Sequence, residues 1–224
     1  MDFTHLKKFR RCLAWLMPLL LFLTSGCSND PNESTHLPFQ GELRVGILHS
    51  QSGTMAFSEG TAAEGEVLAI EEINDRGGIS LGGKRLKVVP VVADGASDPQ
   101  IFATQALNLV DKDKVSAVFG GWTSASRKSM LPVFEGKNIL LFYPIQYEGQ
   151  ECSPNIIYGG ATPNQQIEPA LEWLLRNKGK SFFLVGSDYI YPRTTHRIIR
   201  EILASRGAQI VGETYLPLGS MDVE

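Results

Sequence analysis

Residues 115–128 decide the fold of this chain; they read Val-Ser-Ala-Val-Phe-Gly-Gly-Trp-Thr-Ser-Ala-Ser-Arg-Lys. An apolar run ends in two glycines, after which an aromatic residue and three hydroxyl residues open a new segment. This order predicts a strand whose carboxyl end leads into the amino terminus of a helix, where backbone N–H groups lack intrahelical partners. Open α/β sheets bind ligands at such ends. Hydroxyl and aromatic side chains favour a small, polar, uncharged ligand rather than a phosphate, which would favour more glycine and a lysine.

The same strand-then-helix order occupies the chain from residue 41 onward. The apolar runs predict strands over residues 43–48, 86–92, 115–119 and 139–142, with a further short strand near Ile156 and Ile157. Amphipathic helices are predicted over residues 56–75, from 99 to about 110, and over 124–134. This alternation predicts an α/β fold with a parallel sheet and right-handed crossovers.

A second unit is predicted to begin near residue 161. Thr162-Pro163-Asn164-Gln165 is a capping box that opens a helix to about residue 177, and strand 182–185, helix 192–205 and strand 208–215 follow. Two strands and two helices make an incomplete layer with an exposed edge and an uncovered apolar face. We therefore predict a Rossmann-like lobe over residues 41–160 and the start of an incomplete second lobe over 161–224. The chain is expected to be a fragment of a longer protein. By itself, this chain is expected to bind ligand weakly or not at all.

The amino terminus predicts export. Lys7, Lys8, Arg10 and Arg11 precede the apolar run 12–23, so residues 1–27 read as a secretory signal and polar residues 28–40 as a tether. Cys27 directly follows Gly26, which resembles a bacterial lipoprotein box, although Thr24 stands where the box usually has an apolar residue. We expect a periplasmic or cell-surface protein anchored through lipidated Cys27. Ordinary cleavage and an uncleaved anchor are the alternatives.

Charge and cysteine content narrow the partners. The net charge is −3 and the basic signal contributes positive charge to that sum, so the mature chain is more acidic, which argues against nucleic acid as a partner. Cys152 is the one cysteine of the mature part, so no intramolecular disulfide is expected. Its thiol is expected to be packed rather than catalytic.

Signatures of catalysis are missing from the sequence. It has no GxSxG elbow, Walker loop, GxGxxG fingerprint or HExxH helix. His49 ends the first predicted strand, where a structural role is the simpler interpretation. We therefore expect a binding protein rather than an enzyme, with no catalytic residue, no metal and no cofactor.

Candidate ligand-binding residues follow the carboxyl ends of strands. Strand ends of two facing lobes meet across a crevice in doubly wound folds. The alternative is that the aromatic residues among them fill the core or turns. The candidates are Trp122, Thr123, Ser124, Tyr143, Ile145, Gln146, Tyr189 and Tyr191.

Four segments give the sequence a family resemblance. They are residues 120–134, 141–155, 163–166 and 186–193, the last of which reads Gly-Ser-Asp-Tyr-Ile-Tyr-Pro-Arg. The sequence resembles urea ABC transporter substrate-binding proteins in these segments. Those proteins belong to the branched-chain-amino-acid type of type I periplasmic binding proteins. The resemblance extends from about residue 41 to the end. The same family contains the cytoplasmic amide sensor of the aliphatic amidase operon, which shares several of these segments. Gly121 departs from the cysteine typical of the urea type.

The resemblance implies two lobes, joined by three crossovers, that close on a ligand and then dock on ABC permease subunits in the membrane. It implies that Trp122, Ser124, Tyr143 and Tyr189 touch the ligand, with Gln146 and Tyr191 as weaker assignments. Urea would direct its oxygen to the N–H groups and hydroxyl at Ser124, with its plane between Trp122 and Tyr143. Its N–H groups would meet backbone carbonyls, tyrosine oxygens or Gln146.

Three other functions stay open at this point. One is an amide-sensing regulator of the same fold, against which the export signal argues. Another is a branched-chain amino acid-binding protein, in which Asp188 or residues outside this chain would supply charge. The last is a secreted amide hydrolase, which lacks a visible nucleophile–base pair.

Overall fold

The computed structural model describes residues 38–220. The predicted signal over residues 1–27, the lipidation of Cys27 and nearly all of the tether lie outside the described residues. Among those residues, no helix is both long and apolar enough to cross a membrane.

The first lobe is built on a six-stranded sheet. Its strands are β1 Glu42–His49, β2 Ile79–Leu81, β3 Lys84–Asp94, β4 Ala117–Gly120, β5 Leu140–Tyr143 and β6 Ile156–Tyr158. Their order is β2-β3-β1-β4-β5-β6, and every pairing is parallel except β2 with β3. The predicted α/β fold with a mostly parallel sheet is confirmed.

The antiparallel β2–β3 hairpin was not predicted. Its turn is Gly82-Gly83, both with positive φ, which is the backbone that a two-residue hairpin turn requires. β2 has three residues, too few for a pattern of alternating side chains to be visible in the sequence.

Three helices cover the two faces of this sheet. α1 Ala56–Asp75 packs on Val45, Ile47 and Val88, whereas α2 Pro99–Asp111 and α3 Ser124–Lys137 pack on the opposite face around Val118 and Leu141. Asp98 caps α2 as predicted, because its carboxylate accepts hydrogen bonds from two backbone N–H groups. α3 continues past the predicted end at Phe134 to Lys137, where Asn138 adopts the left-handed conformation that ends helices.

The strand order reverses between β1 and β4. The chain passes from β1 to β3 on one side of β1, and β4 then pairs with the other side of β1. Gly120 has a φ of 139°, and a Cβ at this position would collide with the backbone of Leu48. The N–H of Gly121 donates to the Leu48 carbonyl at 2.9 Å. Gly121 has a φ of 77°, so the cysteine typical of the urea-type loop would be strained here.

The second lobe, as far as it is described, contains α4 Pro163–Asn177, β7 Ser181–Ser187, α5 Ile190–Ser205 and β8 Gln209–Leu216. β7 and β8 are parallel, and both helices contribute to one core with Leu184. The other face of this pair leaves Phe183, Val185 and Val211 59%, 61% and 62% exposed. The uncovered apolar face predicted from the sequence is present.

Gly120→Ala is expected to destabilise the protein strongly, because its Cβ would force β4 away from β1. Gly65→Ala is the matched control: Gly65 lies within α1 with nothing within 4 Å of the added Cβ, so this change should stabilise by about 0.5–1 kcal/mol. Urea unfolding followed by circular dichroism measures both. Equal stability of Gly120→Ala and the wild type would contradict the close approach of β4 to β1.

Candidate ligand-binding site between the lobes

A cavity of about 170 Å³ opens at the carboxyl ends of β1 and β4. We call it the inter-lobe cavity, because the first lobe supplies most of its wall and the second lobe supplies Tyr189 and Leu218. The first-lobe residues are Met55, Glu59, Ser97, Pro99, Phe102, Thr123, Ala125 and Ser126. Two of the residues predicted from the sequence, Thr123 and Tyr189, line it.

The start of α3 presents backbone donors to this cavity. Thr123, rather than Ser124, is the cap: its hydroxyl accepts the N–H of Ser126 at 3.0 Å, and its carbonyl accepts the N–H of Arg127 at 3.0 Å. Because a helix leaves its first four N–H groups without intrahelical partners, those of Ser124 and Ala125 remain. Ala125 lines the cavity, so the helix start can donate to a ligand oxygen there.

The hydroxyl of Ser124 is not directed to this role. It donates to the carboxylate of Glu148 at 2.5 Å and accepts from Nη1 of Arg127 at 3.0 Å. The hypothesis that Ser124 offers its hydroxyl to a ligand stays a prediction, although these two partners already engage the hydroxyl. Its backbone N–H is the group that the helix start leaves available.

A buried ion cluster lies beneath the helix start. Arg127 is 0% exposed and contacts Glu148 at 2.9 Å and Glu151 at 2.7 Å, while Lys128 contacts Glu151 at 2.5 Å. Burial acts to raise the pKa of Glu151, but Arg127 and Lys128 lower it to about 2. The cluster is electrically balanced, with two cations and two carboxylates. It was not predicted, although the adjacent basic pair 127–128 and the acids at 148 and 151 were visible in the sequence.

Tyr143 belongs to this cluster rather than to the cavity wall. It is 1% exposed, its hydroxyl donates to the Trp122 carbonyl at 2.5 Å, and the Arg127 guanidinium lies 4.9 Å from its ring centroid. Burial raises its pKa well above the usual range. Trp122 is partly exposed and does not line the cavity. The structure therefore does not bring these two rings together across a ligand.

Two further predicted residues, Ile145 and Gln146, lie against Gly160, where the chain passes between lobes, and Tyr191 lies in the first turn of α5. The peptide that joins Ile145 to Gln146 packs so closely on Gly160 that a Cβ there would collide with it. Gln146 is exposed and Tyr191 is partly buried. Neither of them, nor Ile145, lines the inter-lobe cavity.

Tyr189 is the polar group that the second lobe contributes. It precedes α5 as its cap residue, and burial raises its pKa to about 12, with Tyr191 and Glu148 adding to the shift. Within residues 38–220 its hydroxyl has no hydrogen-bond partner. It is therefore a protonated hydroxyl that can donate to, or accept from, a ligand.

Glu59 is the charged residue of the cavity wall. It lies in the first turn of α1, is 1% exposed, and accepts the N–H of Ser50 at 2.6 Å. Sequence analysis missed it, although position 59 lies four residues before Ala63 and so falls on the helix face predicted to be apolar. A charged residue on an otherwise apolar helix face was the sequence signal that could have identified Glu59.

His49 supports Glu59 from beneath the cavity. Its Nδ1 lies 3.7 Å from Glu59 and its Nε2 lies 3.2 Å from Glu66, with the ring fully buried. Burial acts to lower the pKa of His49, but the two carboxylates raise it to about 9, so the ring is charged at neutral pH. The structural role expected for His49 is confirmed.

The loop after β1 is held rigidly beside the cavity. The carboxylate of Asp94 accepts the N–H of Gln51 at 2.8 Å and the hydroxyl of Ser52 at 2.7 Å. Burial acts to raise the pKa of Asp94, but these hydrogen bonds together lower it. Across the described chain, no group of His, Cys, Asp or Glu could hold a metal ion.

Cys152 is exposed, so the expectation that it is packed was wrong.

Comparisons with known proteins agree with this architecture. The family model for the periplasmic binding protein domain matches residues 43–224. A Leu/Ile/Val/Thr-binding protein of Salmonella typhimurium is 31% identical over 110 residues, covering 49% of this chain and 29% of that protein. An amino acid binding protein of Pseudomonas aeruginosa is 29% identical over 159 residues, covering 70% of this chain and 37% of that protein.

Solved structures give the same fold. The branched-chain amino acid transporter substrate-binding protein LivJ of Streptococcus pneumoniae, in complex with isoleucine, has a TM-score of 0.73 at 24% identity, over 82% of this chain and 52% of that chain. A leucine-binding protein LivK of Thermotoga maritima has a TM-score of 0.71 at 19% identity, over 80% and 50%. The chain thus spans about half the length of these solved proteins.

The fold and the cavity between lobes define an α/β binding protein of the periplasmic type I class. The match of the family model over residues 43–224 shows that this chain belongs to the periplasmic binding protein family. The urea-type specificity implied by the sequence is a finer question than family membership.

Arg127→Ala is expected to lower the free energy of unfolding by about 3–5 kcal/mol, because it removes the fully buried cation and leaves Glu148 and Glu151 with only the partly exposed Lys128. Arg76→Ala removes an exposed arginine from Glu72 and should cost less than about 1 kcal/mol. Chemical denaturation of both variants gives the comparison. A loss as small as that of the control would show that the buried cluster contributes little to stability.

The pKa of His49 makes stability depend on pH. A group whose pKa is raised on folding stabilises the protein below its unfolded pKa of 6.5, and the effect is lost as pH rises through about 9. Stability should therefore fall by roughly 3 kcal/mol between these limits. Thermal unfolding at a series of pH values measures it. The same slope in His49→Gln would assign the loss to another group.

Proposed function

We propose that this protein is the exported solute-binding component of an ABC importer and that its ligand is urea or a short-chain amide. It is proposed to be anchored to the membrane through lipidated Cys27 and to deliver ligand to the permease subunits when its lobes close. The membership of the chain in the periplasmic binding protein family supports the general role. The chemistry of the inter-lobe cavity supports the ligand class.

One observation carries the ligand proposal: donors from two lobes meet in one small cavity. Thr123 and Ala125, at the start of α3, and Tyr189 of the second lobe all line it. A carbonyl oxygen fits helix-start donors, which also act as the positive end of the helix dipole. A volume of about 170 Å³ suits a small solute, since drug-sized ligands occupy roughly 300–1,000 Å³.

The charge around the helix start fits a neutral ligand. Arg127, the nearest cation, is fully buried and is paired with Glu148 and Glu151. The Arg127 guanidinium is therefore not free to bind a ligand carboxylate at this end of the cavity. We place the ligand against Thr123, the Ser124 and Ala125 N–H groups and Tyr189.

The other candidate residues are proposed to shape the site. Tyr143 supports the loop at Trp122 from below through its hydrogen bond to the Trp122 carbonyl. Ile145 and Gln146 lie at the passage between lobes, where a change of lobe angle would move them, and Tyr191 is proposed to shape the second-lobe side from the start of α5. Trp122 is proposed to meet the ligand when the lobes close.

Branched-chain amino acids are the second candidate, because relatives carry Leu/Ile/Val-binding names. An amino acid differs from urea in carrying both a carboxylate and an ammonium group. The helix start could receive the carboxylate, and Glu59 could receive the ammonium. The two candidates therefore make opposite predictions for ligands without charge.

The test is binding of urea, acetamide and leucine by the purified protein, followed by NMR chemical-shift titration, which measures weak affinities. We expect saturable shifts with urea and acetamide, centred on the signals of Thr123, Ala125 and Tyr189, and none with leucine. The Tyr189→Phe variant should weaken acetamide binding about fivefold, because one hydrogen bond contributes about 1 kcal/mol. Binding of leucine alone would replace the amide proposal by the amino acid one.

A further inference from the structure

The carboxylate of Glu59 is buried with unused hydrogen-bonding capacity. An ionised carboxylate offers about four lone-pair sites. Ser50 donates to Oε2 at 2.6 Å, whereas among residues 38–220 no hydrogen bond reaches Oε1. Nδ1 of His49 lies 3.7 Å from Oε2, beyond hydrogen-bonding distance. Because the side chain lines the inter-lobe cavity, the free capacity is available to a molecule that enters it.

The cation beside Glu59 is shared with a second carboxylate. His49 is the cation beside it, but His49 is also within 3.2 Å of Glu66, so one positive charge is shared between two carboxylates. Across the cavity, Arg127 and Lys128 are matched by Glu148 and Glu151 and leave no surplus positive charge. Glu59 also lies in the first turn of α1, where the helix dipole stabilises a negative side chain.

The cavity is therefore polarised between two helix starts. At the α3 end the cavity is lined by Ala125, whose backbone N–H has no intrahelical partner, and at the α1 end it is lined by Glu59, whose carboxylate accepts hydrogen bonds. An amide or urea has the matching arrangement, with its carbonyl oxygen at one end and N–H groups at the other, and an amidinium supplies N–H groups for Glu59. A carboxylate of the same shape has no N–H group for Glu59 and is complementary to the α3 end alone.

We infer that Glu59 is the specificity-determining residue of the inter-lobe cavity, accepting the N–H groups of a ligand and excluding carboxylates. His49 and Glu66 are positioning residues that hold Glu59 in place from beneath. This inference rests on the proposed function, because it concerns the same cavity. It adds the residue that separates amides from acids.

The test compares three ligands of one shape and three charges: acetate, acetamide and acetamidinium at pH 7. The proteins are the wild type, Glu59→Gln and the control Glu64→Gln, which changes an exposed glutamate of the same helix outside the cavity. NMR titration gives a dissociation constant for each pair. Circular dichroism and thermal unfolding establish that each variant is folded.

In the wild type, acetamide and acetamidinium should bind and acetate should bind at least tenfold more weakly. In Glu59→Gln, the ratio of the acetate to the acetamidinium dissociation constant should fall by about tenfold or more, because a charged acceptor is lost. Glu64→Gln should leave the ratio at the wild-type value. A ratio in Glu59→Gln that stays within twofold of the wild type overturns the inference.

The outcome for Glu59 can be separated from that for the proposed function. If the wild type binds leucine and not acetamide, the amide proposal fails. The inference about Glu59 is then supported only if Glu59→Gln weakens leucine binding at least tenfold, as the loss of a partner for the ammonium group requires. Unchanged leucine binding by Glu59→Gln overturns the inference. Absence of binding of all four compounds by the wild type overturns both proposals.

Discussion

The contact between the end of β4 and the carbonyl of Leu48 sets the geometry of the whole first lobe. Gly120 can approach the β1 backbone only because it has no Cβ, and Gly121 then donates to the Leu48 carbonyl. This contact places the start of α3 beside the end of β1, at the reversal of strand order where open sheets bind ligands. The inter-lobe cavity exists because these two ends are held together.

Two buried ion clusters then give the cavity its electrical character. Beneath α3, Arg127 and Lys128 are balanced by Glu148 and Glu151, so the helix start acts through its backbone dipole alone. Beneath α1, His49 is shared between Glu59 and Glu66, so a negative charge remains. A neutral, N–H-rich solute is complementary to this pair of ends, whereas a simple carboxylate is complementary to only one of them.

Much of the fold was predictable because its signals are local. The glycine pairs, the Asp98-Pro99 cap and the apolar runs each act within a few residues, and α1, α2 and β1 were placed within about one or two residues of their observed bounds. The candidate site was only partly predictable. Thr123 and Tyr189 line the cavity, but the side chain of Tyr143 and the hydroxyl of Ser124 are engaged by partners that lie 21 and 24 residues away. Such partners are not visible to reasoning that proceeds along the chain.

The sequence by itself determined the alternation of strands and helices, the helix start after Gly121 and the uncovered face at Phe183, because periodicity and backbone preference are properties of neighbouring residues. The tertiary structure alone decided which side chains are free to meet a ligand. Ser124 is occupied by Glu148, Tyr143 by the Trp122 carbonyl, and Glu59 is left with an unused oxygen. The physical reason is that hydrogen-bond capacity is used up by whichever groups the fold brings near. Those groups come from elements that are distant in sequence.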